Sequence, residues 1–524
     1  MQAKLRCPAR RPAAFRPSCM LDFCIYLLYR AGTGLVRLLP LPLLFSCGQL
    51  GGLLAWILSR KYRTLALHNL HIAFSGEKSE HELRRLTRRH FQQLGANLLC
   101  SAKLGSMPLD KIAAHVSLEN ADLVHREVRA GRGVVVILSH LGNWELFAHF
   151  FPRVVDYAPL GTIFQSLSNR YIDAHVRIQR ARAGVRLFDR RDGFSGPIAL
   201  LRDGGVIGIL ADQHAGDHGL WTPFFGRLAS TTPLPALLAR RAHASLMHAA
   251  VYTEGRGRWR MVFTGKIETQ EQSVPELTAS ANQGIADQIR QAPEDWFWVH
   301  NRWKTPRPNF LLPKYKRGVY LPADSILKPF RILIRSTNWL GDSVISAAGV
   351  RAIKRGRPDA HITIAAPAKI APVWKLVPEV DEILPLPSRS LFSTAKLLRK
   401  QPAFDVAILF PNSLRSALEV WLAGIPRRVG YRGHSRAWLL NQIVPEPKWR
   451  GPIRHQVHHY LHLAEAVGAD LAVLPEPATP RAITLSSPIK IGLCPGAEYG
   501  PTKRWLPERF AEAAAAVSAQ RPVQ

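Results

Sequence analysis

Gly133-Val-Val-Val-Ile-Leu-Ser-His140-Leu-Gly-Asn-Trp-Glu145 decides how the 524-residue chain is read. The run from Gly133 to Leu138 is aliphatic without alternation, the pattern of a strand buried on both faces of a parallel sheet. Gly205-Val-Ile-Gly-Ile-Leu210 is a second run of the same kind. Upstream, Leu83, Leu86, Phe91, Leu94 and Leu98 recur mostly at three- and four-residue spacing, which predicts one buried helix face. Strands alternating with helical stretches predict an α/β domain. His140 then sits at the carboxyl end of a strand, where an α/β sheet opens its ligand crevice.

Glu145 follows five residues later, and among the twenty histidines only His140 has an acidic residue at that distance. The two would not share a face of one continuous helix. A loop turning into a helix brings them together, and the carboxylate then fixes the imidazole tautomer. In such a pair the histidine takes a proton from an attacking hydroxyl, while the carboxylate orients the ring and stabilises the imidazolium. That chemistry suits moving an acyl group from a thioester to a hydroxyl. The plainer alternative is a helix-capping or core histidine.

The 70 Lys and Arg against 38 Asp and Glu leave a formal charge of +32. Such an excess fits polyanions, whether nucleic acid, anionic phospholipid or phosphorylated glycolipid. No basic module with exposed aromatics is visible, so nucleic acid is not the expected partner. Cys7, Cys19, Cys24, Cys47, Cys100 and Cys494 are scattered without a CxxC pair, which indicates neither zinc nor a disulfide framework and fits a reducing compartment. Residues 1–19 are Arg- and Pro-rich without a period and read as a disordered basic tail. Residues 20–60 read as a membrane anchor: Leu38 to Ser59 carries no charge and is long enough to cross a bilayer core, with Arg60, Lys61 and Arg63 directly after it. A buried or interfacial helix pair is the competing reading, because Gly and Pro weaken a spanning helix.

Further blocks follow in order. They are Asn169-Arg-Tyr-Ile-Asp173 with Arg180 and Gly184, Asp212-Gln213, Phe224-Phe225-Gly226, and Pro293-Glu-Asp-Trp296-Phe-Trp298-Val-His300-Asn-Arg302-Trp303-Lys304. With Gly133–Phe147, these resemble the lipid A late acyltransferases of the lysophospholipid acyltransferase-like family, from about Met20 to Pro308. The chain departs from the family pattern at Gln165, His214 and Asn301. The resemblance implies His140 and Glu145 as catalytic residues, with Asn143, Arg180 and Asp212 at the substrate. It also implies an acyl-carrier-protein thioester as donor, a lipid A precursor as acceptor, and a place at the cytoplasmic face of a bacterial inner membrane. Arg180 reads either as a clamp for a glycolipid phosphate or developing oxyanion, or as a surface residue. Asp212 reads as orienting that arginine or, more plainly, as forming a turn. Trp296, Trp298 and Trp303 with Arg302 and Lys304 read as an interface belt or as core and rim. The chemistry needs no metal, and no ligand set is visible. Lysophospholipid or another glycolipid is the alternative acceptor. A non-catalytic basic binding protein is the alternative of another class.

Residues 61–312 thus form the first catalytic domain, and the Pro- and Lys-containing stretch 313–329 reads as a linker. A new α/β pattern begins at Arg331-Ile-Leu-Ile-Arg335, with strands at His361–Ala365 and Val406–Leu409. Asn338-Trp-Leu-Gly-Asp342, Pro378-Glu-Val-Asp381, Pro411–Ala417, Gly424–Arg428, Gly430–Gly433 and Cys494–Trp505 resemble the heptosyltransferases of lipopolysaccharide core synthesis. That resemblance implies a Rossmann-like GT-B N-terminal domain over 330–482, the start of an incomplete second GT-B domain over 483–524, and ADP-heptose as donor. Asp342 reads as the base for the acceptor hydroxyl or as a helix cap. Lys503 reads as neutralising the donor diphosphate or as a solvated lysine. The charge assignment has a direct check: the protein is expected to bind anionic lipid vesicles more tightly than neutral ones in a co-sedimentation assay, and equal binding would remove it.

Overall fold

The computed structural model describes residues 17–182, 184–387, 390–447, 454–473, 491–497 and 501–520. The chain separates into two compact units, Met1–Leu471 and Ala472–Gln524. Most of the expected basic tail lies outside the described residues, and its last three residues already belong to a helix.

Four helices open the first unit: α1 (Pro17–Leu38), α2 (Leu41–Leu58), α3 (Arg60–Phe74) and α4 (Glu80–Leu104). Ser79 caps α4 with a full capping box, its backbone N donating to Glu82 at 2.7 Å. Beyond them runs a seven-stranded sheet in the order β1 (Val116–Glu119), β9 (Arg258–Ile267), β8 (Ser245–Gly255), β2 (Val134–Leu138), β5 (Val206–Leu210), β3 (Leu160–Phe164) and β4 (Val185–Asp189). All neighbours are parallel except the β8–β9 pair. A separate hairpin joins β6 (Leu220–Phe224) and β7 (Arg227–Thr231). Alternate residues of β2 face different cores. Val135 and Ile137 pack among α3, Leu238 and Leu277, whereas Val134, Val136 and Leu138 pack among Leu44, Cys100 and Phe147. The sheet is therefore covered on both sides, as the aliphatic run predicts.

The second sheet is wholly parallel, ordered β12 (Glu382–Leu386), β11 (Ala360–Pro367), β10 (Phe330–Arg335), β13 (Val406–Leu409), β14 (Arg428–Tyr431) and β15 (Gln442–Val444). The strand order reverses at β10, so its carboxyl end is a topological switch point. Asp342 lies in the first turn of the helix Leu340–Arg355 that follows it, and Trp339 occupies the cap position instead. The second unit contains a helix, Pro507–Ser518, and an exposed Lys503 in a short turn.

The expected linker at 313–329 has no helix or strand, yet it is bonded into the first unit as a strap. Trp221 N donates to Gly318 O at 3.1 Å, Tyr320 N to Trp221 O at 2.9 Å, and Lys328 N to Gly226 O at 2.7 Å. Lys328 Nζ reaches the last turn of α3, at Ile72 O and Ala73 O.

α2 is the one described helix long and apolar enough to cross a membrane. It lies antiparallel against α4: Cys100 meets Leu41, Gly95 and Ala96 meet Gly48, and Phe91 meets Gly52. A Cβ on Gly52 would sit 2.0 Å from Phe91 O, so only glycine permits this crossing. The opposite side exposes Leu43, Leu50, Leu54, Ile57 and Leu58, and α1 exposes Leu21, Phe23, Leu27, Leu28 and Leu35. Gly52→Ala is expected to cost about 1–3 kcal/mol through overpacking, read as a lowered Tm and faster proteolysis between α1 and α2.

Candidate active site

The sheet register assembles the site. Leu138 and Leu210 are partners across β2 and β5, and Ala211 N donates to Leu138 O at 2.9 Å. Two residues past each strand end stand His140 and Asp212. His140 Nδ1 is 2.7 Å from Asp212 Oδ1, and His140 N donates to Asp212 Oδ2 at 2.8 Å. Trp296 Nε1 donates to the same Oδ2 at 2.7 Å. An ionised carboxylate only accepts, so Nδ1 carries the imidazole proton and Nε2 holds the free lone pair. The Gln213 amide nitrogen stands 3.4 Å from that Nε2.

The Asp212 carboxylate is 1% exposed. Burial is the strongest single influence and pushes its pKa up, but the His140 charge and the hydrogen bonds from His140 and Trp296 prevail and hold it below the usual carboxylate range. For His140 burial again leads and pushes the pKa down. The Asp212 charge and hydrogen bond, with the Glu145 charge, overcome it and leave the imidazole above its ordinary value.

Glu145 does not form the expected pair with His140. Its carboxylate takes both bonds from Arg180 Nη2, at 3.0 and 2.9 Å. Glu145 stands just before the helix Leu146–His149, which directs its side chain to the helix Arg170–Arg182. Arg180 is thus neither a surface residue nor a free phosphate clamp. Its Nε is buried with no hydrogen-bond partner among the described residues. Asn143 is 1% exposed, its Oδ1 lies 2.6 Å from Ser101 Oγ on α4, and its Nδ2 also lacks a partner among the described residues. His140, Asn143, Glu145, Arg180 and Asp212 therefore belong to one site. Asp342 belongs to the second sheet, and Lys503 to the second unit.

Sequence reasoning singled out Trp296 and its segment but not their place beside His140 and Asp212. Gly142 N donates to Asp295 O at 3.0 Å, Leu141 bridges Trp296, and Phe297 N donates to His140 O at 3.1 Å. The tryptophans are core, with Trp296, Trp298 and Trp303 at 1%, 0% and 6% exposure, so the interface-belt reading fails. Arg302 is equally buried and donates to Ser230 O, Thr231 Oγ1 and Asn282 Oδ1, with Gln213 O at 3.5 Å. It braces the loop that carries Asp212. The available signal was positional: Asp212 and His140 each stand two residues past a legible strand.

Behind this segment Asp295 is buried, with Thr253 N donating to its Oδ2 at 2.8 Å. Burial, despite the Thr253 hydrogen bonds and aided by the Glu294 charge, pushes its carboxyl up to about 7. A folded pKa above the unfolded value means stability is lost as pH rises from about 4 to about 7. Asp295→Asn removes that ionisation and keeps an acceptor for Thr253. It is expected to raise Tm at pH 8 by several degrees and to change it little at pH 4, measured by calorimetry.

No group of three or more His, Cys, Asp or Glu side chains among the described residues is arranged to hold a metal. Residues 15–305 match the family model described as bacterial lipid A biosynthesis acyltransferase, and residues 391–522 match glycosyltransferase family 9 (heptosyltransferase). The lipid A biosynthesis lauroyltransferase of Escherichia coli is 26% identical over 54% of this chain and 91% of that protein. Lipopolysaccharide heptosyltransferase 2 of Escherichia coli is 35% identical over 35% of this chain and 59% of that protein, so the chain spans about three fifths of that relative. The solved structure of E. coli ADP-heptose lps heptosyltransferase II is 31% identical, covering 37% of this chain and 63% of that one at a TM-score of 0.29. With 15–305 exceeding half its length, the chain belongs to the bacterial lipid A biosynthesis acyltransferase family, and it carries a heptosyltransferase-like segment fused behind that domain.

Proposed function

We propose that the first domain transfers a fatty acyl chain from an acyl-carrier-protein thioester to a hydroxyl of a lipid A precursor, with His140 as base. The observation that carries this is the His140–Asp212 pair, which leaves Nε2 unprotonated at the mouth of the sheet crevice. His140 Nε2 takes the hydroxyl proton as the oxygen attacks the thioester carbonyl. The C–O bond forms, the C–S bond breaks, and the imidazolium returns its proton to the departing thiolate. Asp212 holds the tautomer and stabilises the imidazolium. Arg180, fixed by Glu145 and retaining an unused buried Nε–H, is the donor assigned to the oxyanion. Asn143 Nδ2 is a second donor at the substrate. Glu145 thus serves through Arg180 and not by orienting His140.

The exposed apolar faces of α1 and α2 fit attachment to the cytoplasmic leaflet of the inner membrane, with anionic lipid facing the chain's basic excess. Packed lengthwise on α4, α2 is shaped to lie along that leaflet. For the second module we propose ADP-heptose as donor, Asp342 as base at the β10 switch point, and Lys503 at the donor diphosphate. Support for this comes from the parallel sheet and the 35% identity to a heptosyltransferase.

Membranes containing the chain, given an acyl-carrier thioester and an under-acylated lipid A precursor, are expected to produce a mass gain of one acyl group. His140→Ala is expected to abolish it, and Asp212→Asn to lower kcat by about 10²–10⁴-fold. The base must be neutral, so kcat/KM should rise with pH along a limb centred above the ordinary imidazole value. Removing the Asp212 charge moves that limb to lower pH, and Glu145→Gln moves it less. A larger shift from Glu145→Gln would return the orienting role to Glu145, and no mass gain in the wild type would remove the reading.

A further inference from the structure

A cleft of about 700 Å³ opens beside the reaction site, walled by α1, the end of α4 with the turn after it, and the helix Arg170–Arg182. Its cations are Arg30 and Arg37, both exposed and both on α1, and no carboxylate lines it among the described residues. Arg30 is steered by a hydrogen bond from its Nη1 to Tyr26 OH at 2.9 Å. Tyr26 in turn stacks on Tyr171 with ring centroids 5.8 Å apart, so two aromatic rings from different helices form one wall. Its lining also includes the apolar side chains of Met107, Ile112 and Ile178.

His149 ties this cleft to the chemistry. It lines the cleft, is buried, and closes the short helix that starts directly after Glu145. Gly105 lets it approach, since a Cβ there would lie 3.1 Å from His149 Nε2. His149 N donates to Glu145 O at 3.2 Å, and Gln179 in the cleft lining directly precedes Arg180, so the cleft adjoins the Glu145–Arg180 pair. That pair already consumes Arg180 Nη2, which leaves the phosphate assigned to Arg180 from sequence without its clamp. Meanwhile α1 exposes Leu27, Leu28 and Leu35 near Arg30 and Arg37, so the membrane attachment proposed above would put these arginines near lipid headgroups.

We propose that this cleft is the headgroup subsite of the acceptor, with Arg30 and Arg37 binding a phosphate monoester of a phosphorylated glycolipid and Tyr26 and Tyr171 packing on its sugar. The proposal rests on the acyl-acceptor reading of the site above. Guanidinium groups suit phosphate through charge-assisted, often bidentate bonds, and tyrosine rings give a sugar an apolar platform with a polar edge.

The test compares wild type, Arg30→Gln, Arg37→Gln and the double variant by titration in neutral detergent micelles, without acyl donor. The probes are an under-acylated bisphosphorylated lipid A precursor and the same lipid after phosphatase treatment. Each single variant is expected to weaken binding of the phosphorylated lipid about tenfold or more, and to leave binding of the dephosphorylated lipid within twofold. In turnover the same variants should raise the acceptor KM and leave kcat and the carrier-thioester KM within twofold. Equal loss with both lipids overturns the proposal. So does an equal loss of binding to phosphatidylglycerol vesicles, which would mark a general electrostatic face. A rise confined to the carrier KM overturns it in favour of the carrier's pantetheine phosphate. Because the titration needs no acyl transfer, an inactive wild type that still distinguishes the two lipids would sink the catalytic reading and spare this one.

Discussion

Everything at the candidate site depends on one buried carboxylate. Asp212 is sealed from water, and an ionised group so placed survives only if its oxygens are fully engaged. Its two oxygens accept from the His140 amide, the His140 ring and the Trp296 indole. Each donor belongs to a different structural commitment. The amide and ring require β2 and β5 to be parallel neighbours in their observed register, because a slip by one residue would separate positions 140 and 212. The indole requires the segment after Asp295 to run beside Leu141. Arg302 then holds the backbone of the Asp212 loop from below. Sheet register, the closing tryptophan segment and the imidazole tautomer are therefore set by the same group.

A related economy explains part of the basic composition. Arg302, Arg357, Arg427 and Arg436 are all at most 3% exposed, so these four arginines serve packing and not a polyanion. Two of them join the domains. Arg357 Nη1 donates to Phe310 O at 3.0 Å while its other nitrogens pair with Asp359, and Arg427 donates to Pro306 O and Pro308 O. Arg227 adds an ion pair from β7 to Asp405, whose other oxygen accepts the Arg331 amide at the start of β10. Guanidinium forks satisfy backbone carbonyls that an irregular segment leaves open. Through Arg357 and Arg427 they hold the segment 306–310 to the residues beside the second sheet.

Two strands of the first sheet and three of the second were legible, because short aliphatic runs have few alternatives. The runs at 133–138, 205–210, 331–335 and 406–409 all became strands within a residue or so of the expected ends. The site was legible in its members and not in its pairings. His140, Glu145, Arg180 and Asp212 were all singled out, but spacing along the chain favoured His140 with Glu145. The actual partner comes from a strand 72 residues away in sequence. No periodicity encodes strand order, and strand order is what made Asp212 the neighbour. Trp296 and Arg302 were left between an interface belt and a core role for a different reason. Tryptophan and arginine are amphipathic, and composition alone cannot tell a membrane rim from a hydrogen-bonded core.

The helices that expose apolar surface are joined to the elements that position the reacting groups. α2 is seated on α4 through Gly48, Gly52 and Gly95, and α4 presents Ser101 to Asn143 in the loop after β2. α1 is seated on the helix Arg170–Arg182: Asn169 donates to Asp22 O at 2.8 Å, and Tyr26 stacks on Tyr171. That second helix carries Arg180 to Glu145. α2 also meets α3, where Arg63 donates to Trp56 O and Ile57 O, and it meets the turn at Gly257, so the apolar helices are fixed to the domain at several points. The close glycine crossings at Gly48, Gly52 and Gly95 thus tie the apolar face of α2 to the helix that bears Ser101.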